Sequence, residues 1–186
     1  METIEVHHHR GCEIIIEQDY DTPCPIDRTG IYEGLGCFKY DGINITADPL
    51  DLFSRYPRNP ELFYTTHYTA YHVYGHPRYE VIVDRSAVED GNYERFARLG
   101  MFEYTSWATG HVFRLTVKYP DGSEDSVGGV YYDDGVPDEG ETLELLEELG
   151  FFDGVEDMMV SRERVADTLV YAGIHPDTID RVMGIL

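Results

Sequence analysis

The residues best suited to chemistry are histidines and paired carboxylates. His67, His72 and His76 stand in HYTAYHVYGH among Tyr68, Tyr71 and Tyr74. His7, His8 and His9 form a run near the start, and Asp19 and Asp21 flank Tyr20. Imidazole nitrogens ligate transition metals and titrate near neutrality. Carboxylates at i, i+2 can hold Mg²⁺ or Ca²⁺. The candidate metal ligands are therefore His7, His9, Asp19, Asp21, His72 and His76.

Spacing weighs against them. His72 and His76 would share a face at chelating distance only on a helix, and H-x-x-x-H lacks the glutamate of a metalloprotease helix. Gly75 and Pro77 would break such a helix, and the tyrosines and threonines favour strand. On a strand, Tyr68, His72, Tyr74 and His76 share one face, and His67, Tyr71 and Val73 the other. His7 and His9 point the same way on a strand but need a third ligand. After Asp19 and Asp21 the other EF-hand positions are missing. The sequence thus favours a strand running into a turn at 67–76, a solvated strand at 7–9 and capping loop acids at 19–21.

No nucleophile elbow, P-loop or dinucleotide fingerprint occurs. GIYEGLG has no lysine and opens no helix. Cys12, Cys24 and Cys37 form no CxxC pair, so neither a zinc knuckle nor a disulfide framework is indicated. No cofactor is expected. No apolar run could span a bilayer, and METIEVHHHR has no secretory h-region, so the expectation is a cytoplasmic protein without membrane contact.

Charge sets the class of partner. The formal net charge is -22, and Lys39 and Lys118 are the two lysines. Such a chain repels nucleic acid and anionic membranes and favours basic partners. Between Lys118 and Arg162 there are fourteen acids and no base. The candidate acidic surface is Asp133, Asp134, Asp138, Glu139, Glu141, Glu144, Glu147 and Glu148.

The elements that must carry these residues read as α+β with a mainly antiparallel sheet. ETIEVHHH and CEIIIEQD are strands joined at Arg10-Gly11, with Ile14 and Ile16 on one face. GCFKY and INIT flank the turn dipeptide Asp41-Gly42. Asp48 is the expected N-cap of a short helix with Pro49 at its first position. Residues 62–74 and RYEVIVDR read as strands. A central helix is expected over Asn92–Trp107 with Phe96, Leu99, Phe102 and Trp107 near one stripe, although Gly100 weakens it. HVFRLTVKY and EDSVGGVYY form a hairpin about Pro120-Asp121-Gly122. Leu143, Leu146 and Leu149 are the expected apolar side of a helix within 138–152, and two further helices follow to residue 186. Residues 1–137 are expected to form an α+β domain, and 138–186 an acidic helical segment packed on it.

Three segments carry a resemblance: GCEIIIEQDYDTPCP, GLGCFKYDG and EYTSWATGHVFRLTVKYPDGSEDSVGGVYYDD. In order and spacing they resemble an uncharacterised group of small phage and prophage proteins. In that group I-x-I-x-x-D-x-D-x-x-x-P precedes a small-residue strand, and D-S-x-x-G-x-Y comes much later. Ile14, Ile16, Asp19, Asp21 and Pro25 match the first pattern; Asp125, Ser126, Gly129 and Tyr131 match the last. The chain carries IYEGLG where the group has Trp and Asn before Leu-Gly. The resemblance covers residues 10–134 in patches. It implies a viral or mobile-element origin and brings no activity or active site.

The functional expectation is a non-enzymatic acidic binding protein acting on a host protein with a basic, nucleic-acid-binding surface. DNA mimicry against host defence, as in antirestriction or anti-CRISPR proteins, is its specific form. The alternatives are a virion or structural protein whose acidity serves solubility in salt, and a small metal-dependent enzyme using the histidines. A homodimer is an open alternative for its assembly.

Overall fold

The computed structural model describes residues 3–39, 45–132 and 136–156. In chain order the elements are β1 (Thr3–His9), β2 (Cys12–Gln18), β3 (Leu35–Lys39), β4 (Ile45–Ala47), α1 (Leu52–Arg55), β5 (Phe63–Thr69), β6 (Arg78–Asp84), α2 (Tyr93–Thr109), β7 (Val112–Lys118), β8 (Glu124–Tyr131) and α3 (Glu139–Glu148). The class is α+β and the pairing antiparallel, as expected. The strands form two sheets of four, β1-β2-β7-β8 and β4-β3-β6-β5, where one sheet was anticipated. The two helices expected over 161–186 lie outside the described residues.

The chain divides into two compact units that are not consecutive segments. One takes the residues up to Asp19, Phe113–Val130 and the chain from Val136; the other takes Tyr20–Val112 and Tyr131–Gly135.

The first unit is built on period-2 alternation. Arg10 and Gly11 both have positive φ, 49° and 76°, as a two-residue hairpin of the twist-matching type requires. Cys12, Ile14 and Ile16 are buried, and Ile14 and Ile16 lie opposite Val117 and Leu115 of β7. Burying each such branched side chain contributes roughly 1.5–3 kcal/mol. α3 begins at Asp138, whose carboxylate accepts from Glu141 N at 2.9 Å. It ends in two bonds, Gly150 N to Glu147 O and Phe151 N to Leu146 O, each 3.0 Å. Gly150, at φ +77°, supplies the left-handed residue this ending needs. The buried stripe is Thr142 and Leu146; Leu149, expected inside, is 51% exposed because the helix stops one residue earlier.

In the second unit the sheet carries a helix layer on each side. Tyr79, Val81 and Val83 of β6 pack with Ala97, Met101 and Tyr104 of α2. Ile82 points the opposite way and packs with Leu52 and Phe63. α1 starts at Leu52, later than expected, because Asp48 to Asp51 first form a turn (Asp51 N to Asp48 O, 3.2 Å). Asp48 still caps the helix from outside it, accepting from Leu52 N and from Phe53 N.

α2 buries a different stripe from the expected one. Ala97, Gly100, Met101 and Tyr104 face inward, and Leu99 and Trp107 are exposed. The reason is close approach: a Cβ on Gly100 would stand 2.8 Å from the Tyr32 ring and from Leu35 Cδ1. The residue that weakened the helical pattern is the one that seats the helix. β5 also stops sooner than expected, at Thr69. Residues 70–77 form a tight connection with Ala70 N bonded to Pro77 O at 3.0 Å, and Gly75 and His76 at positive φ.

Gly100→Ala should therefore destabilise the protein by about 1–3 kcal/mol through overpacking, despite alanine's better helix propensity. Chemical denaturation checks this; an unchanged or higher midpoint would show that Tyr32 is not fixed against α2.

Candidate functional site

The acids of α3 divide into two groups. Asp138 is consumed as the N-cap. Glu147 faces Arg10 at 3.1 Å and His9 at 3.5 Å. Glu139, Glu141, Glu144 and Glu148 are exposed and make no ion pair among the described residues. Glu141, Glu144 and Glu148 follow i, i+3, i+7 spacing and form one ridge opposite buried Thr142 and Leu146. At 1.5 Å rise per residue the three carboxylates follow one another at about 4.5 and 6.0 Å along the axis, wider than the roughly 3.4 Å between phosphates of one DNA strand. Asp133 and Asp134 lie outside the described residues.

Asp19 has become a structural clasp. Its side chain is 3% exposed, its Oδ2 accepts from Gly129 N at 3.0 Å, and its Oδ1 lies 3.7 Å from Arg114 Nη2. A Cβ on Gly128 would stand 2.6 Å from Asp19 Oδ2, so the absence of a side chain there makes room for the carboxylate. The end of β2 is thereby tied to β8 across β7. Asp21, paired with Asp19 in sequence, is exposed.

The other metal candidates are dispersed. His7 faces Glu5 at 3.1 Å, and His9 lies edge-on to Phe152 with ring centroids 5.0 Å apart. His72 Nε2 lies 2.8 Å from Thr105 Oγ1 and its ring contacts Phe102. Thr105 Oγ1 also lies 2.7 Å from Met101 O and 3.0 Å from Phe102 O. His76 occupies a left-handed turn position against Tyr71. Among the described residues no three His, Cys, Asp or Glu side chains gather to hold a metal ion.

Two features of the second unit were not read from the sequence. Tyr32 donates to Glu103 Oε1 at 2.8 Å, and Glu103 Oε2 is buried without a partner among the described residues. Burial pushes the Glu103 carboxyl above the usual range, with the Tyr32 hydrogen bond opposing in part. A shallow groove of about 580 Å³ runs along α2, lined by Tyr68, Arg95, Arg98, Leu99 and Phe102 among others. Neither feature has a motif, because each joins residues far apart in the chain.

The thiols are poor nucleophiles. Burial pushes Cys37 up to about 12, and burial also raises Cys12 and Cys24. No helix among the described residues is long and apolar enough to cross a membrane. The geometry thus defines an α+β protein of two antiparallel-sheet units with an acidic helical ridge. Comparison with protein-family models, with curated proteins and with solved structures finds no match.

Two outcomes follow for stability. Asp19→Ala strands Arg114 and Gly129 N and should cost about 2–3 kcal/mol, whereas Asp19→Asn, which keeps an acceptor, should cost less. Equal losses in urea denaturation would refute the clasp. Glu103 binds its proton more tightly in the folded state than in the unfolded one. Its stabilising contribution is present at low pH and is lost as pH rises through the raised folded value. Glu103→Gln should therefore raise the melting temperature at pH 7 more than at pH 4; a pH-independent difference would contradict it.

Proposed function

We propose that the chain is a non-enzymatic acidic binding protein whose ridge of Glu141, Glu144 and Glu148 engages a basic, nucleic-acid-binding surface on another protein. The carrying observation is where these acids stand. Glu148 lies in the last turn of α3, where the helix dipole disfavours a negative charge, and no basic residue shares that turn. Glu144 and Glu148 are also a like-charge i, i+4 pair. Local electrostatics therefore oppose Glu144 and Glu148, although the dipole favours Glu141 in the first turn, and a role in binding accounts for the presence of those two. The dispersed histidines and the raised thiols favour binding over catalysis.

The form of this reading directed against host defence, with duplex DNA as the surface imitated, rests on the resemblance to phage and prophage proteins and on the net charge of -22. In it, the chain occupies the groove where a host protein takes DNA, and the two compete.

The experiment is a double one. Glu144→Gln with Glu148→Gln should stabilise the fold by about 0.5 kcal/mol at low salt. The same variant should capture at least about tenfold less of a DNA-binding protein from host lysate, and duplex DNA should displace what the native chain holds. If the native chain captures nothing basic and its stability climbs steeply in molar salt, the acids serve solubility instead.

A further inference from the structure

The four sheet edges are not equally protected. β1 carries a register irregularity between Thr3 and Glu5 together with the charged side chain of Glu5. β8 carries Glu124, Asp125 and a glycine at positive φ. β4 is three residues long. These are the devices by which proteins blunt an edge. β5, Phe63–Thr69, has none of them: seven residues, FYTTHYT, no Asp, Glu, Lys, Arg or Pro, and unbroken register with β6.

Its hydrogen-bonding parity follows from the ladder. Ala70 N bonds to Pro77 O, and Asp84 N turns away from β5 to Gly34 O. Antiparallel pairs alternate between bonded and non-bonded residues. Tyr64, Thr66 and Tyr68 therefore direct their backbone groups to β6, and Phe63, Thr65, His67 and Thr69 direct theirs outward. Arg85 Nε occupies Phe63 O, and Tyr71 N occupies Thr69 O. The N–H and C=O of Thr65 and His67 form the open centre of the edge.

We propose that β5 pairs with β5 of a second copy about a two-fold axis through Thr66. The strand is self-complementary in that register. Thr65 meets His67 as a bonded pair and supplies four hydrogen bonds across the axis. Tyr64 meets Tyr68, and Thr66 meets itself, both favourable cross-strand pairs. Charge selects this edge for self-association. Residues 20–112 hold thirteen acids and eight Lys or Arg, whereas the other ninety-three residues hold twenty-three against six. The α2 groove flanking β5 carries Arg95, Arg98 and Glu94, so both signs are present beside an uncharged strand. Leu99, 43% exposed on the rim of that groove, is the apolar residue the second copy covers. An isologous joint of this kind closes on itself as a dimer.

Sedimentation of the full chain at several concentrations and salt levels tests this. The native chain should reach twice its monomer mass, and more completely as salt screens the net charge. Thr65→Pro removes an outward N–H without touching the β6 ladder, and should weaken the dimer by at least about tenfold while circular dichroism stays unchanged. Thr66→Cys should cross-link with itself on oxidation, since a non-bonded antiparallel pair sits at disulfide distance. Thr65→Cys, whose partner is His67, should not, and neither should the native cysteines. A monomer at every concentration overturns the proposal, as does a dimer that cross-links equally at 65 and 66. A native monomer that instead binds an extended peptide along β5 overturns self-pairing and gives the edge to a foreign strand.

Discussion

Thirty-six carboxylates stand against fourteen lysines and arginines, so every acid must keep its water or find a donor as the chain folds. The arrangement of both units follows from that constraint. Acids near backbone ends are used as caps: Asp48 for α1, Asp138 for α3, and Asp84 for the turn after β6 through Ser86. Asp84 shows the balance in one side chain. Burial pushes its carboxyl up, and bonds from Ser86 and Arg55 outweigh that and hold it low. Asp19 goes furthest inside and receives a backbone N–H and a guanidinium. The acids left over are on the α3 ridge, where no basic side chain among the described residues meets them and the helix gains nothing from Glu144 and Glu148.

The apolar interior is correspondingly conservative. Branched residues of β2 and β7 interlock in the first unit, and β6 is buried on both faces in the second. α2 comes close to the sheet because Gly100 lets the Tyr32 ring touch its backbone. The same approach half-buries Glu103, so a packing decision creates a perturbed carboxyl as a by-product. Among the described residues, Tyr32 is the titratable group hydrogen-bonded to it.

The hairpin loop at 70–77 illustrates how little a suggestive composition says about chemistry. Its histidines and tyrosines do not converge. His72 turns in to fasten the loop to Thr105 on α2, and Tyr71 and Tyr74 turn out into water. The strand before the loop matters more than the loop, because β5 lies at the end of its sheet with a clean, uncharged edge.

The sequence by itself determined the α+β class, the antiparallel pairing, the hairpin at Arg10-Gly11 and the inward faces of β2, β6 and β7. These depend on short-range periodicity and turn chemistry, which a linear pattern carries. It also determined the net charge of -22. Only the tertiary structure decided that there are two sheets, that α2 turns its glycine inward and Leu99 outward, and that Asp19 meets Gly129 across 110 residues. Only it separated the acids of α3 into a cap, an ion pair and a ridge with no ion pair among the described residues. Those outcomes depend on which distant backbone comes close enough to donate a proton or exclude a methyl group. Spacing along one chain holds no record of such distances.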